Sequence, residues 1–143
     1  MKGIVVPISD ARDAEWAVPR VIEQYRKEPV NVYLLNVRHP LPRHVTRFFK
    51  ASGGLNDVYR EAGMEVLAPT IKALDDAGIP HEDHVLVGHK AETIVRFAQR
   101  HDSDVVLDNK SYSVLSLFGL GSIAGRVHRL MHPGASPRAS NLT

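Results

Sequence analysis

The sequence predicts a single α/β domain, in which a parallel sheet carries helices on both faces in a doubly wound, Rossmann-like arrangement. Apolar runs of strand length alternate with segments of helical periodicity along the 143 residues, and this alternation is typical of parallel sheets. The first run, Gly3 to Ile8, is β-branched and uncharged, as expected of a strand that is buried on both faces. The length suits one domain with a full core.

Strands and helices are expected in strict alternation. Pro7 should lie near the end of its strand, because it cannot donate to a ladder, and Gly78 should end a helix. The predicted strands are Gly3–Ile8, Val30–Val37, Pro80–Val87 and Val105–Leu107, and the predicted helices are Asp13–Lys27, Asn56–Ala77, Gly88–His101 and Ser122–Met131.

Side-chain chemistry predicts where the helices begin, bend and bury their faces. The expected N-caps are Asp13, Asn56 or Asp57, and Ser122, and the expected bends are at Pro19 and Pro69. Apolar spacing predicts an inner face of Trp16, Ala17, Val21 and Tyr25 for the first helix, and of Val58, Ala62, Val66, Pro69, Ile71 and Leu74 for the second.

Composition argues against several classes of function. The net charge is +2 with neutral histidines and the basic residues form no blocks, so nucleic-acid binding gains no electrostatic support. The chain has no cysteine, which excludes disulfides and thiol catalysis. The N-terminal apolar run is far shorter than the ~20 residues that span a bilayer. We therefore expect a cytoplasmic protein with neither a nucleic-acid nor a membrane partner.

The histidine spacing does not predict a metal site. His81 and His84 are three residues apart in a predicted strand and should face opposite sides of it. His128 and His132 are four apart, but no carboxylate at helical spacing supplies a further ligand. We interpret the second pair as exposed surface residues.

The stretch from Asp104 to Met131 has a layout that can hold an anion. A strand and a polar loop lead to Gly119 and Gly121, and a helix is expected to begin at Ser122. The first amides of a helix face outward at the positive end of its dipole, so this turn could grip a phosphate. A tight turn that only connects two elements is the competing interpretation.

This stretch resembles the C-terminal signature of the universal stress protein family, in which a strand is followed by G-x2-G-x9-G-[ST]. Gly121 and Ser122 fit the final pair, whereas Asp108 and Ser111 stand where nucleotide-binding members have glycines. The segment VLVGHKAETIV at residues 85–95 also resembles the family's strand, glycine and helix start.

The resemblance implies an adenine nucleotide alpha-hydrolase-like fold with a nucleotide site at the carboxyl ends of the strands. The family's first strand ends in an aspartate that contacts the base, and here that position is Ser9, followed by Asp10. If binding is retained, the resemblance places these residues at the site: Pro7, Ile8, Ser9, Val37, Gly88, Asp108, Ser111, Gly121, Ser122 and Ile123.

The altered glycine signature predicts weak ATP binding. A carboxylate such as Asp108 at ~4 Å from a phosphate costs about 1–4 kcal/mol, depending on the effective dielectric, although Lys110 could neutralise it. The resemblance implies a cytoplasmic stress-response homodimer that has no turnover chemistry and no firmly held cofactor. The alternative is a regulatory switch or slow ATPase that binds ATP or another adenine nucleotide.

A third interpretation is an interaction module that binds an unidentified protein partner. It would use the predicted loop Arg38–Gly54, which is rich in basic residues and contains Phe48 and Phe49. The competing interpretation, which we favour, is a mobile connection.

The last residues differ from the family pattern. Residues 1–131 are expected to form the domain and residues 132–143 a flexible tail, because turn-forming residues dominate the end of the chain. Family members usually end in a fifth strand that pairs across a dimer, and this edge strand is doubtful here. We still expect a dimer, formed through another surface or a residual strand.

Overall fold

The structure is a computed structural model that describes residues 2–47 and 54–106. None of the helices within these ranges is long and apolar enough to cross a membrane. The strands are β1 (Gly3–Pro7), β2 (Asn31–Arg38), β3 (Glu82–Val87) and β4 (Ser103–Val105), and the helices are α1 (Ala11–Lys27), α2 (Arg43–Thr46), α3 (Gly54–Asp76) and α4 (Lys90–Arg100).

The strands form one parallel sheet in the order β3-β2-β1-β4. The chain adds β2 and β3 on one side of β1 and then crosses to the other side to add β4. This reversal of strand order between β1 and β4 defines a doubly wound sheet, and ligands bind such sheets at the carboxyl ends of the strands. The predicted fold class is confirmed.

Each face of the sheet has its own apolar core. Because side chains alternate along a strand, Val6 and Leu34 face α1 and α3, whereas Val5 and Leu35 face α4. All four of these side chains are fully buried. Burial on both faces explains why β1 and β2 are nearly continuous apolar runs.

Helix α1 begins earlier than predicted because Asp10, and not Asp13, is its N-cap. Asp10 Oδ1 accepts the Asp13 amide at 3.0 Å, and Asp13 Oδ2 accepts the Ser9 amide at 2.7 Å. The arrangement is similar to a capping box, except that the carboxylate of Asp13 accepts the amide of the residue before the N-cap. Pro19 lies inside the helix on its exposed side, where water can reach the carbonyl that loses its donor.

The buried face of α3 differs from the prediction, and the helix begins at Gly54 rather than after Asn56 or Asp57. Its buried residues are Tyr59, Gly63, Leu67, Thr70 and Leu74, of which only Leu74 was predicted. Of the others predicted, Ala62, Val66 and Ile71 are half-buried, while Val58 and Pro69 are exposed. The prediction selected the neighbouring row of the helix, displaced by one residue, because the row that is buried includes a glycine and a threonine, which apolar spacing does not select.

Several boundaries shift by one or two residues. Strand β4 begins at Ser103 because Gly3 pairs with it, rather than at Val105 as predicted. Strand β3 begins at Glu82, and α4 begins at Lys90 because the backbone of His89 is extended. Helix α2 occupies part of the segment that was predicted to be a loop. Arg38 belongs to β2 rather than to the loop, and residues 48–53, which include Phe48 and Phe49, lie outside the described residues. So do the predicted helix Ser122–Met131, the glycine turn before it and the tail.

His81 links the end of α3 to the start of β3. Its side chain is 8% exposed, with Nε2 at 2.8 Å from Asp75 Oδ1 and Nδ1 at 2.6 Å from Asp83 Oδ1. Burial lowers the pKa of His81, but the hydrogen bonds and the attraction of both carboxylates outweigh burial. The net result is a pKa raised above the ordinary value of 6.5.

The raised pKa predicts that His81 stabilises the fold in its charged form. Its contribution is complete below about pH 6.5 and is lost as the pH rises through the folded-state pKa. We expect His81→Gln to lower the free energy of unfolding by about 1–2 kcal/mol near pH 5.5, and by clearly less near pH 9. Urea unfolding of both proteins at both pH values tests this, and a loss that grows toward alkaline pH would contradict it.

Gly63 allows α3 to lie directly against β3. A Cβ at this position would overlap both methyl groups of Val85. It would lie 2.6 Å from Val85 Cγ2 and 3.1 Å from Asn36 Oδ1. Valine is restricted at χ1 and cannot turn both methyl groups away. The close approach of helix and strand therefore requires glycine.

We expect Gly63→Ala to destabilise the protein by about 1–3 kcal/mol, even though alanine gains ~1 kcal/mol in helix propensity over glycine. Gly54→Ala is the matched control, because it lies in the same helix and its Cβ would meet nothing within 4 Å. The measurement is denaturant unfolding of both variants. Equal stability of the two would show that α3 can move away from the sheet at little cost.

Candidate functional site

The carboxyl ends of β1, β2 and β3 enclose a cleft with the start of α4, which we call the carboxyl-edge cleft. Its volume is about 250 Å³. Parallel strands all end at this edge, so residues far apart in the sequence meet there. The cleft is lined by Ser9, Asn36, Val37, Arg38, His39, Gly88 and Lys90.

Ser9 and Lys90 close one side of the cleft. Ser9 follows the end of β1, and its amide is held by Asp13 in the first turn of α1. Lys90 is the first residue of α4, and its ammonium donates to Ser9 Oγ at 2.8 Å. A hydrogen bond between residues 81 positions apart thus joins the ends of two elements across the edge.

Asn36 supports the cleft from inside the sheet. It is only 2% exposed, and its Nδ2 donates to the carbonyl of Ile8 at 2.8 Å. The amide of Ile8 in turn donates to the Leu35 carbonyl at 2.9 Å. Together these bonds fix the chain just before Ser9, beyond the last residue of β1.

Gly88 makes the turn from β3 into α4. Its amide donates to the Arg38 carbonyl at 3.0 Å, which extends the pairing of β2 with β3 by one bond. A Cβ on Gly88 would lie 2.5 Å from Thr93 Oγ1. The absence of a side chain therefore lets the chain fold back closely onto the first turn of the helix.

The cleft is rich in basic groups. Arg38, His39 and Lys90 line it, and the described residues around it contribute no carboxylate to the lining. At the rim, the rings of His39 and His89 lie 6.1 Å apart. Over the ranges that the structure describes, no group of three or more histidine and acidic side chains could hold a metal ion.

The structure brings together half of the residues that the resemblance implies. Ser9, Val37 and Gly88 line the cleft, and Pro7 and Ile8 lie at the end of β1 beside it. The others, Asp108, Ser111, Gly121, Ser122 and Ile123, lie outside the described residues.

The sequence prediction for this site did not include Asn36, Arg38, His39 or Lys90, and it assigned Arg38 and His39 to the basic loop Arg38–Gly54 instead. Asn36 did give a signal, because it is a polar residue within an apolar strand, and buried amides need partners. Lys90 gave none, since its contact with Ser9 depends on the order of the strands.

Comparison with known proteins gives a consistent result. The model of the universal stress protein family matches residues 1–132. No functionally curated protein sequence matches the chain.

Solved structures share the fold. A universal stress protein in complex with cAMP is 21% identical, with a TM-score of 0.67 and 90% of each chain covered. A family protein from Burkholderia pseudomallei is 17% identical, with a TM-score of 0.64 and coverage of 91% of this chain and 89% of the other. The universal stress protein from Archaeoglobus fulgidus in complex with dAMP is 22% identical, with a TM-score of 0.61 and 89% of each chain covered.

The hydrogen bond from Asn36 predicts the cost of removing its amide. In Asn36→Leu the Ile8 carbonyl loses its buried donor, and we expect the free energy of unfolding to fall by about 1–3 kcal/mol. Urea unfolding measures this loss. Thr70→Val is a suitable control, since Thr70 is also buried and its hydroxyl has no partner within the described ranges. A loss for Asn36→Leu no larger than for Thr70→Val would contradict this role of Asn36.

Proposed function

Because the chain belongs to the universal stress protein family, we propose that it is a stress-response protein that acts without turnover chemistry and does not bind ATP tightly. The observation that carries this proposal is the contact between Lys90 and Ser9. It lies where the family resemblance implies an aspartate that contacts the base.

Where the family pattern has an aspartate, this chain has Ser9 in contact with the Lys90 ammonium. The edge therefore presents hydrogen-bond donors in place of a carboxylate acceptor. A carboxylate only accepts hydrogen bonds, whereas an ammonium only donates them. In the family pattern the aspartate accepts a hydrogen bond from the base. Without the aspartate that donor on the base has lost its partner, which costs about 1–3 kcal/mol of binding free energy. This cost corresponds to roughly one to two decades in affinity.

The sequence adds a second argument from the other end of the proposed nucleotide site. Asp108 and Ser111 replace glycines there, which puts a negative charge and side-chain bulk where phosphates would approach. Both ends of the site thus depart from the pattern of nucleotide-binding members in ways that weaken binding.

An ATP-binding switch or slow ATPase is the second candidate. Two observations favour it: a cleft exists at the carboxyl ends of the strands, and structures of the same fold are described as complexes with cAMP and dAMP. The resemblance also supports a homodimer in the cytoplasm, and both remain part of the proposal.

Calorimetric titration with MgATP and with AMP tests the proposal. We expect no binding tighter than about 100 µM and no nucleotide released when the purified protein is denatured. The Archaeoglobus fulgidus protein, titrated with dAMP, is the positive control. A micromolar dissociation constant for this chain, or carried-over nucleotide, would contradict the proposal and favour the switch.

The double variant Ser9→Asp, Lys90→Pro tests whether the contact between Lys90 and Ser9 weakens nucleotide binding. Proline is favoured at the first position of a helix, and the extended backbone of His89 is compatible with a following proline, so the variant should fold. The probe is adenosine, which carries no phosphate, and an affinity that rises about tenfold would assign the loss of base recognition to this contact. An unchanged affinity would assign it to residues 108–123.

A further inference from the structure

We propose that the carboxyl-edge cleft is an oxyanion site that binds a phosphate group, either inorganic phosphate or the phosphate of a small ester. The inference goes beyond the proposed function, because it concerns what this edge binds in place of a nucleobase. It rests on the position of Lys90 over Ser9, on Arg38 and His39 in the lining, and on the sign of the charge around them.

Among the described residues that line the cleft, Arg38 and Lys90 are permanent cations and none is a carboxylate. Arg38 at the end of β2 and Lys90 at the start of α4 are both half-buried. Asp13 lies behind Ser9, where Oδ2 accepts the Ser9 amide and Oδ1 lies 3.4 Å from the indole nitrogen of Trp16. Glu92, in the first turn of α4, does not line the cleft. The charge of the described lining therefore favours an anion.

Several hydrogen-bond donors line the cleft. Ser9 Oγ accepts from Lys90 Nζ at 2.8 Å, so its own hydrogen remains available to a ligand. The Lys90 ammonium has two further hydrogens, and the Arg38 guanidinium has the planar fork that matches phosphate oxygens. The positive end of the α4 dipole adds to these, because His89 caps no amide with its side chain.

The size of the cleft limits what it can enclose. Its volume of about 250 Å³ is below the ~300–1,000 Å³ of pockets that bury a whole small-molecule ligand. A tetrahedral oxyanion fits with room for bridging water, whereas an entire nucleotide would extend outside. The volume of the cleft therefore suits a phosphate group, in agreement with the charge of its described lining.

NMR titration of the full-length protein with sodium phosphate, up to about 10 mM at constant ionic strength, tests the proposal. We expect saturable shifts of the amides of Ser9, Gly88 and Lys90. Lys90→Gln should weaken binding about tenfold, because a charge-assisted hydrogen bond to the anion is lost, and Arg38→Gln should act in the same direction. Because Lys90 and Arg38 are not core residues, both variants should keep the wild-type spectrum elsewhere.

Lys72→Gln is the matched control. Lys72 is exposed, pairs with Asp76 at 2.9 Å, and lies on the part of α3 that leads to the opposite edge of the sheet. This variant removes the same charge and should leave the phosphate affinity within about twofold of wild type. Shifts that do not saturate, or equal weakening by Lys90→Gln and Lys72→Gln, would overturn the proposal.

Parallel titrations with tripolyphosphate and MgATP separate this inference from the proposed function. We expect tripolyphosphate to bind at least as tightly as MgATP, since the cleft recognises phosphate oxygens and not a base. Tight binding of MgATP that tripolyphosphate matches, beside a retained phosphate response at Ser9 and Gly88, would contradict the proposed function only. A cleft that does not respond to phosphate would overturn this inference, whatever ATP does.

Discussion

The position of β1 between two parallel neighbours is the constraint on which the rest of the structure depends. It pairs with β2 on one side and with β4 on the other, so that Gly3 is opposite both Asn31 and Ser103. A strand in this position has no free edge and no open face, and a charge on it would be buried without a partner at a cost of several kcal/mol. The same pairing fixes where the strand order reverses, and therefore where Ser9 emerges from the sheet.

The fold was predictable because a strand that is buried between two parallel neighbours requires an apolar sequence. Apolar, β-branched runs with helical segments between them specify a parallel sheet without any knowledge of contacts. The predicted N-cap of α1 and the predicted buried face of α3 were wrong, because in each case the sequence pattern is compatible with two structures. Asp10 and Asp13 are both good caps, and only the geometry of the preceding turn selects Asp10. On α3, Gly63 and Thr70 form part of the buried face, although the spacing of apolar residues selects neither a glycine nor a threonine. Gly63 is buried because the close approach to Val85 leaves no room for a side chain.

The candidate site was predictable only in outline, for a different physical reason. The edge follows from the architecture, since every parallel strand ends there. Its chemistry follows from contacts between residues that the chain brings together only when folded, such as Lys90 with Ser9. Asn36 is the intermediate case, because a polar residue inside an apolar strand indicates a buried hydrogen bond but not its partner, the Ile8 carbonyl.

The cleft therefore combines two kinds of residue under different constraints. Asn36 belongs to the core: it ties β2 to the end of β1, and its Oδ1 would lie 3.1 Å from a Cβ added to Gly63 on α3. Changing it disturbs packing as well as the site. Arg38, His39 and Lys90 are outside the core, so their substitution alters charge with little cost in stability. In a sheet of this kind the residues that line the cleft outside the core can change while the buried residues that support it stay the same. On the proposal made for this edge, replacing an acceptor by donors at the end of β1 would change which ligand binds there, while the strand order, the core and the position of the cleft would stay the same.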